Sequence, residues 1–414
     1  MQFVEFVAKL FPTSCNAMFR WLTVSRTLEV SYLTNLALLP WSKFPPFPWL
    51  HENAQWSDPV FAFTAVLWAI QCWRENRRPR AEGVYLAMAV YAGAATLSFF
   101  FASAHQPAGA LKLLGLAELL MLAVITSDLA RRPHFPRAMA WTLAISCIVV
   151  ASASLLGLAL FYAGVWTPLI GLYGDHLVPS SWYARVRSVS GGPNVLASFC
   201  TFAAAVISAK NPALPRRLER LTQWALSLTV ALTISHGILG FILAATIRKA
   251  GTQIRKIFAL VLGIAFVILV SSLIFLNLSL DPVQPWGSRI DPARPSGRWQ
   301  TVTSTLETIR EHPLWGLGPG TPPGRFYGMP YDAHMTLLDI AGTLGIPAAV
   351  AFVGLFALLW RRRARPTNLF LWGAFAGFAL DSLVCDIEDF RHVWVMIGLA
   401  DADSKQQKAE CNRQ

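Results

Sequence analysis

The sequence predicts an all-α polytopic membrane protein of about 12 transmembrane helices (11 if the first does not span), with two long loops on the non-cytoplasmic side. Three observations carry that expectation. Of the 414 residues, 54% are hydrophobic and only 14% are charged, where a soluble domain carries about 25% charged residues. The apolar residues come in long runs, with no room between them for a separate soluble core, so residues 1–414 read as one integral membrane domain. The basic residues gather in short clusters between those runs.

A helix that crosses the bilayer needs about 20 mostly apolar residues. A weak candidate, Leu28–Trp41, comes first. Asp58–Trp73, Gly83–Ala104, Gly109–Ala130, Met139–Gly164 and Asn194–Ala209 follow, and then Leu221–Ser235, Gly237–Ile247, Ile257–Leu280, Thr336–Trp360, Asn368–Cys385 and Phe390–Ala400. The short ones are expected to extend into flanking residues or to pair as a tight hairpin, as around Ser235-His236-Gly237.

Charge sets the orientation. The clusters are Arg74, Arg77, Arg78 and Arg80; Arg131, Arg132 and Arg137; Lys210, Arg216, Arg217 and Arg220; Arg248, Lys249, Arg255 and Lys256; and Arg361, Arg362, Arg363 and Arg365. Alternating crossings place all of them on one side, which the positive-inside rule makes the cytoplasm. The C-terminal tail falls there too, as does the N-terminus if the first helix spans. The net charge of +12 therefore belongs to membrane loops. It forms none of the basic faces or motifs of a nucleic-acid binder, so no nucleic-acid partner is expected.

The opposite side carries two long loops, 165–193 and 281–333, rich in Gly, Pro, Trp and Arg. Long loops in compact proteins are usually functional or disordered, and Trp286, Trp299, Trp315, Tyr327 and Tyr331 argue for order. Trp299–Glu311 has the spacing of an amphipathic interfacial helix, with Val302, Leu306 and Ile309 on one side. The six cysteines show neither CxxC nor metal-ligand spacing, and no disulfide framework is expected. The first residues lack the basic flank, apolar core and cleavage site of a signal peptide, so insertion is expected through the first transmembrane helices.

Arginine is the chemical feature of those loops: Arg185, Arg187, Arg289, Arg294, Arg298, Arg310 and Arg325. Outer loops usually avoid positive charge near helix ends. A guanidinium fork matches phosphate and stays charged, so an anionic ligand is expected; contact with lipid phosphates is the alternative for any one of them. His334 stands where the second loop enters an apolar helix. Near neutral pH its imidazole can take a proton from a hydroxyl nucleophile, the alternative being a structural hydrogen bond at the interface. Gly316-Leu-Gly318-Pro-Gly320 and Gly191-Gly192-Pro193-Asn194 are turns whose backbone amides can bind anions. Asp175 and His176 form another acid–base pair by proximity alone. Asp381, Asp386, Glu388, Asp389, Arg391 and His392 cluster between the last two helices, where pairing of Arg391 with Asp389 and Asp386 is the expectation.

Together these residues resemble the O-antigen ligase and O-antigen polymerase-like membrane protein superfamily. The stretches are Ser296-Gly297-Arg298-Trp299, His312-Pro-Leu-Trp-Gly316-Leu-Gly318-Pro-Gly320, and His334 followed by Leu338 and Leu344-Gly345. Arg185-Val-Arg187 with Pro193-Asn194 looks like the family's earlier arginine loop and helix start, and Ser235-His236-Gly237 looks like its Ser-Arg-Gly turn. The resemblance covers roughly 185–400. The chain departs from it at Met335, where Asn is frequent, at Thr343, where Glu is frequent, and at His236 in place of Arg.

The resemblance implies a bacterial inner-membrane protein whose outer loops are periplasmic. It implies glycan transfer from an undecaprenyl-diphosphate-linked donor to an acceptor hydroxyl, either on a lipid A-core sugar or on another glycan. No metal and no cofactor are expected, because arginines neutralise the diphosphate. In that scheme Arg187 or Arg185, with Arg298, holds the diphosphate; Arg294 and Arg325 are reserves; and His334 activates the acceptor. A polymerase of the same family remains open. A lipid-linked sugar transporter would place charge at the bilayer midplane and show inverted repeats. An assembly partner would need no ordered Arg–His pattern.

Overall fold

Long apolar runs become helices because backbone groups within a bilayer have no partner but one another. The computed structural model describes residues 18–42, 55–77, 83–102, 107–173, 183–208, 214–235, 237–250, 297–326, 328–362, 369–383 and 385–411. In chain order the elements are helices α1 (Met18–Leu38), α2 (Ser57–Arg74), α3 (Gly83–Phe101), α4 (Pro107–Leu129) and α5 (Phe135–Tyr162), then strands β1 (Ile170–Tyr173) and β2 (Tyr183–Val186). They continue with α6 (Pro193–Ile207), α7 (Arg216–Thr233), α8 (Gly237–Ala250), α9 (Gly297–Glu311), β3 (Gly324–Phe326) and β4 (Met329–Tyr331). The chain closes with α10 (Thr336–Leu344), α11 (Ile346–Arg362), α12 (Leu369–Asp381) and α13 (Arg391–Cys411).

The protein is mostly helical, and three helices are long and apolar enough to cross a membrane: Val84–Phe101, Ala108–Leu129 and Phe135–Tyr162. Shorter apolar helices are Pro193–Ile207, Gly237–Thr246, Ile346–Leu359 and Leu371–Asp381. The expected helix Ile257–Leu280 lies outside the described residues, as do Asp175, His176, His236, Arg289 and Arg294. Helix starts follow local chemistry. Pro136 and Pro193 stand in the first turns of α5 and α6, where the missing N–H costs nothing. Asp58 sits in the first turn of α2 and Arg74 in its last, each at the end of the helix dipole that suits its charge.

Outward faces carry large apolar side chains, among them Phe63, Val90, Leu114, Ile145 and Leu156. Polar residues on the inner faces form pairs. The hydroxyls of Ser31 and Thr64 lie 2.6 Å apart, and Ser98 Oγ donates to Trp315 O at 2.6 Å. This inverted distribution is that of helices packed within lipid. Close backbone approach does similar work between α8 and α12. A Cβ placed on Gly377 would lie 2.7 Å from Gly240 O, so only glycine permits that contact.

One predicted helix is corrected. Thr336–Trp360 is two helices, broken at Gly345, whose φ is +90°. A Cβ at Gly345 would lie 2.1 Å from Leu314 O. The loop 312–318 therefore presses against the break, and Ile346 N–H donates to Pro313 O at 2.9 Å. The two long loops also contain regular structure. Strands β1 and β2 pair antiparallel with Gly171 opposite Arg185, and β3 pairs with β4 with Arg325 opposite Pro330. The helix expected over Trp299–Glu311 forms as α9. It turns Thr301 and Thr305 into the protein and leaves Leu306 exposed. Thr308 Oγ1 donates to Pro323 O at 2.8 Å, fastening α9 to the second hairpin.

Candidate functional site

The arginine hairpin is bolted to the helices around it. The N–H groups of Arg187 and Ser188 both donate to Leu169 O, at 3.1 and 2.9 Å. Ser188 Oγ donates to Val150 O of α5 at 3.0 Å, and Ser190 Oγ to Pro40 O beyond α1 at 3.0 Å. The two arginines are used differently. Arg185 Nε donates to Thr233 O at 2.8 Å, and its Nη2 to Asn194 Oδ1 at 3.3 Å. That ties the hairpin to the end of α7 and the start of α6. Arg187 Nε donates to Pro168 O at 2.6 Å, an anchor at the neck of the guanidinium.

His334 forms a second corner. Its φ is +55°, a left-handed conformation uncommon for a residue with a side chain. The chain is fastened on both sides of it. Ala333 N–H donates to Asp339 Oδ1 at 3.1 Å. Thr336 N–H donates to Ser382 O at 2.9 Å, Thr336 Oγ1 to Cys385 O at 2.8 Å, and Ile387 N–H to Thr336 Oγ1 at 3.0 Å. The imidazole meets Tyr331 edge-on, with ring centroids 5.1 Å apart. Among the described residues four non-glycines have positive φ: Asn76, Ser188, Ile234 and His334. Three of these flank or form the predicted site, Ser188 following Arg187 and Ile234 following the carbonyl that holds Arg185. Strained backbone persists where its surroundings over-determine it, and it gathers at functional sites.

Arg185 is held at Thr233 and Asn194, Arg187 at Pro168, and His334 packs on Tyr331. The two corners rest on a shared framework. Helix α6, which begins at the arginine hairpin, reaches α13 through Ser198 Oγ and His392 Nε2, 2.9 Å apart. Phe199, Phe202, Phe378 and Phe390 surround that imidazole. Arg298 stands in the first turn of α9, and its side chain lies outside the described residues. Arg325 is exposed on β3, its backbone N–H taken by Ser304 Oγ at 2.8 Å.

Two expectations are corrected. The amides of the Gly316–Gly320 turn do not form an open anion nest. Leu317 N–H and Gly318 N–H donate to Gly342 O and Thr343 O, both at 2.9 Å. They satisfy carbonyls that the end of α10 would otherwise leave unpaired. Arg391 pairs with neither Asp389 nor Asp386. Its Nη2 lies 2.5 Å from Asp58 Oδ1 and its Nε 3.1 Å from Glu118 Oε1. Asp389 turns to Lys112, whose Nζ lies 2.6 Å from Asp389 Oδ2 and 3.0 Å from Glu388 Oε1. As the first residue of α13, Arg391 faces α2 and α4, while the residues before it face the first turns of α4.

Asp386, Glu388 and Asp389 are the group whose carboxylate oxygens come within 4.8 Å of one another, and the Lys112 ammonium supplies the positive charge beside them. Tyr91 OH donates to Glu388 Oε2 at 2.7 Å. Burial pushes the Glu388 carboxyl above the usual range, Lys112 opposes, and Asp389 adds to the rise. Burial does the same to Asp386 more strongly, with Glu388, Asp339 and Asp389 adding. Sequence reasoning missed Lys112, Glu118 and Asp339 as partners. The signal available was a lone charge inside an apolar run, which is costly unless paired or functional.

Fold and site together define a helical membrane protein with a polar centre built where its helices end. Residues 221–353 match the family described as O-Antigen ligase, which supports the resemblance to the O-antigen ligase-like superfamily. The matched segment contains His334, Arg298, Arg325 and the turn that holds Arg185; Arg185 and Arg187 themselves precede it. No curated protein matches the chain.

Proposed function

We propose that the protein transfers a glycan from an undecaprenyl-diphosphate carrier to a hydroxyl of a lipid A-core sugar, at the periplasmic face of the bacterial inner membrane. Both termini then lie in the cytoplasm, and the crossings number about 12. His334 takes the proton of the acceptor hydroxyl, whose oxygen attacks the anomeric carbon. The bond from that carbon to the diphosphate oxygen breaks, and the electron pair leaves with the diphosphate. Arg187 and Arg298 hold the charge that develops there. Arg187 suits the role better than Arg185 because its anchor is at Nε, whereas Arg185 also spends Nη2 on Asn194. Arg294 and Arg325 are the further phosphate contacts.

The observation that carries the reading is the His334 corner: a histidine in a left-handed conformation, fastened on both sides, at the start of an apolar helix within the family-matched segment. The test is complementation of a host that lacks its own ligase, scoring polymer attached to the lipopolysaccharide core. Attachment that His334→Ala and Arg298→Ala abolish at unchanged protein level is the expected result. Polymer that lengthens on its carrier without reaching the core would move the assignment to a polymerase. Full activity in both variants would remove the site, and absence of any glycan phenotype would point to transport of lipid-linked sugar instead.

A further inference from the structure

The carboxylate of Asp381 ends helix α12, 3% exposed. Neither of its oxygens has a hydrogen-bond partner. It is unlike the other acids at this end of the bundle. Asp58 and Glu118 hold Arg391, Glu388 and Asp389 hold Lys112, and Asp339 accepts from Ala333 N–H. An acid buried at membrane depth is expensive and usually paired or functional. Here the protein supplies burial and withholds the donor.

The space around it is arranged as well. A Cβ on Gly240 would lie 2.7 Å from Asp381 Oδ1, so the carboxylate occupies the room that a side chain on α8 would take. The position bridges the two corners of the site. The next residue, Ser382, gives its carbonyl to Thr336, two residues after His334. Gly240 is in the first turn of α8, directly after the turn whose Thr233 carbonyl holds Arg185. Ionised, the carboxyl group accepts through both oxygens; protonated, it keeps an accepting carbonyl oxygen, so hydroxyl donors complete it in either state.

We propose that Asp381 is a binding residue for the acceptor glycan: its carboxyl group, buried and unpartnered between the His334 corner and the arginine hairpin, accepts hydrogen bonds from hydroxyls of the acceptor sugar. This rests on the transferase reading above. A site built to bond a hydroxyl leaves its own polar group unpaired when the substrate is absent, and that cost in the free protein is the counterpart of selective binding.

The experiment uses the purified full chain in detergent, with lipid-linked glycan as donor and lipid A-core as acceptor. Wild type, His334→Ala, Asp381→Asn and Asp381→Leu are compared. For Asp381→Leu the KM for acceptor should rise about 10–100-fold, the range of a hydrogen bond to a charged group, with the KM for donor unchanged. Asp381→Asn, which keeps one accepting oxygen, should recover part of the loss. The thermal midpoint of Asp381→Leu should equal or exceed that of wild type, because a buried polar group without a partner is removed. A lowered midpoint with both KM values disturbed alike would mean a structural role and overturn the proposal. Wild-type acceptor kinetics in Asp381→Leu, beside an inactive His334→Ala, would overturn it while leaving the transferase reading standing. Absence of transfer in wild type as well would remove both.

Discussion

His334 combines a chemical side chain with a backbone conformation that disfavours any side chain, and the two properties separate by substitution. Its φ of +55° places an L-residue where it is strained by about 1–2 kcal/mol relative to glycine. His334→Gly should therefore be more stable than His334→Ala by about 1 kcal/mol, the reverse of the usual order of these residues, as read from thermal unfolding. Both should lose about 10²–10⁴ of the transfer rate if the imidazole is the general base. An alanine variant more stable than the glycine variant would mean that the corner is not strained. Glu388 offers a second residue-scale test. Burial raises its carboxyl above the usual range, so its folded state prefers the proton. Its contribution to stability is complete below the ordinary carboxylate value of about 4.3 and is lost as pH rises through the raised value. As pH rises through that raised value, wild type should thus lose more thermal stability than Glu388→Gln, which has no proton to release. Equal slopes would show that Lys112 already cancels the cost of the charge.

At the scale of elements, the sequence spoke clearly wherever an apolar run ended in charge or proline. Ser57–Arg74, Phe135–Tyr162 and Pro193–Ile207 start and stop within a few residues of where hydropathy puts them. Hydropathy was silent at Gly345, because Gly-Ile-Pro-Ala continues an apolar run, although the Leu344-Gly345 of the family resemblance marks the end of a helix. The physical reason for the break is Leu314, far off in a loop, pressed against the glycine. The same blindness led the Gly316–Gly320 turn to be read as a ligand nest. Glycine-rich turns look alike in sequence whether their amides face an anion or, as here, the carbonyls of Gly342 and Thr343. The two hairpins were hidden in Gly- and Pro-rich loops too short in strand residues to show alternation. Gly345→Ala should therefore be destabilising, combining about 1–3 kcal/mol of backbone strain with a clash against Leu314 O. Gly354→Ala, inside α11 and facing open space, should be neutral or stabilising by up to about 1 kcal/mol. Thermal midpoints of the pair test the break directly. A mild Gly345→Ala would mean that α10 and α11 can straighten into one helix.

Across the whole molecule, ion pairs join helices far apart in the chain, and this long reach is why their partners were not legible beforehand. Helix α13 is clamped along α4 at two levels. At its start Arg391 holds Glu118, and also Asp58 of α2, while Lys112 holds Glu388 and Asp389 just before the helix. Halfway along it, beside the last turn of α4, Asp401 accepts from Ser127 Oγ at 2.6 Å and lies 3.7 Å from Arg131. Between them a Cβ on Gly398 would lie 2.4 Å from Ala123 O, so the helices touch backbone to backbone. The segment that enters α13 also carries the carbonyls and amide that fix Thr336 beside His334. The clamp therefore bears on the candidate site without touching it. Arg391→Met should strand Glu118 and Asp58 and cost about 3–5 kcal/mol, as breaking a buried pair does. Adding Glu118→Gln should return part of that loss, because one stranded charge is then gone. Coupling of about 0.5–3 kcal/mol in the double-mutant cycle, measured by thermal unfolding, is expected for groups in one network. Transfer should fall in Arg391→Met and recover in step with stability in the double variant, since the residue acts through the loop that holds Thr336. Strictly additive losses would mean that Arg391 and Glu118 act independently, and the His334 corner would then owe its position to the hydrogen bonds at Thr336 alone.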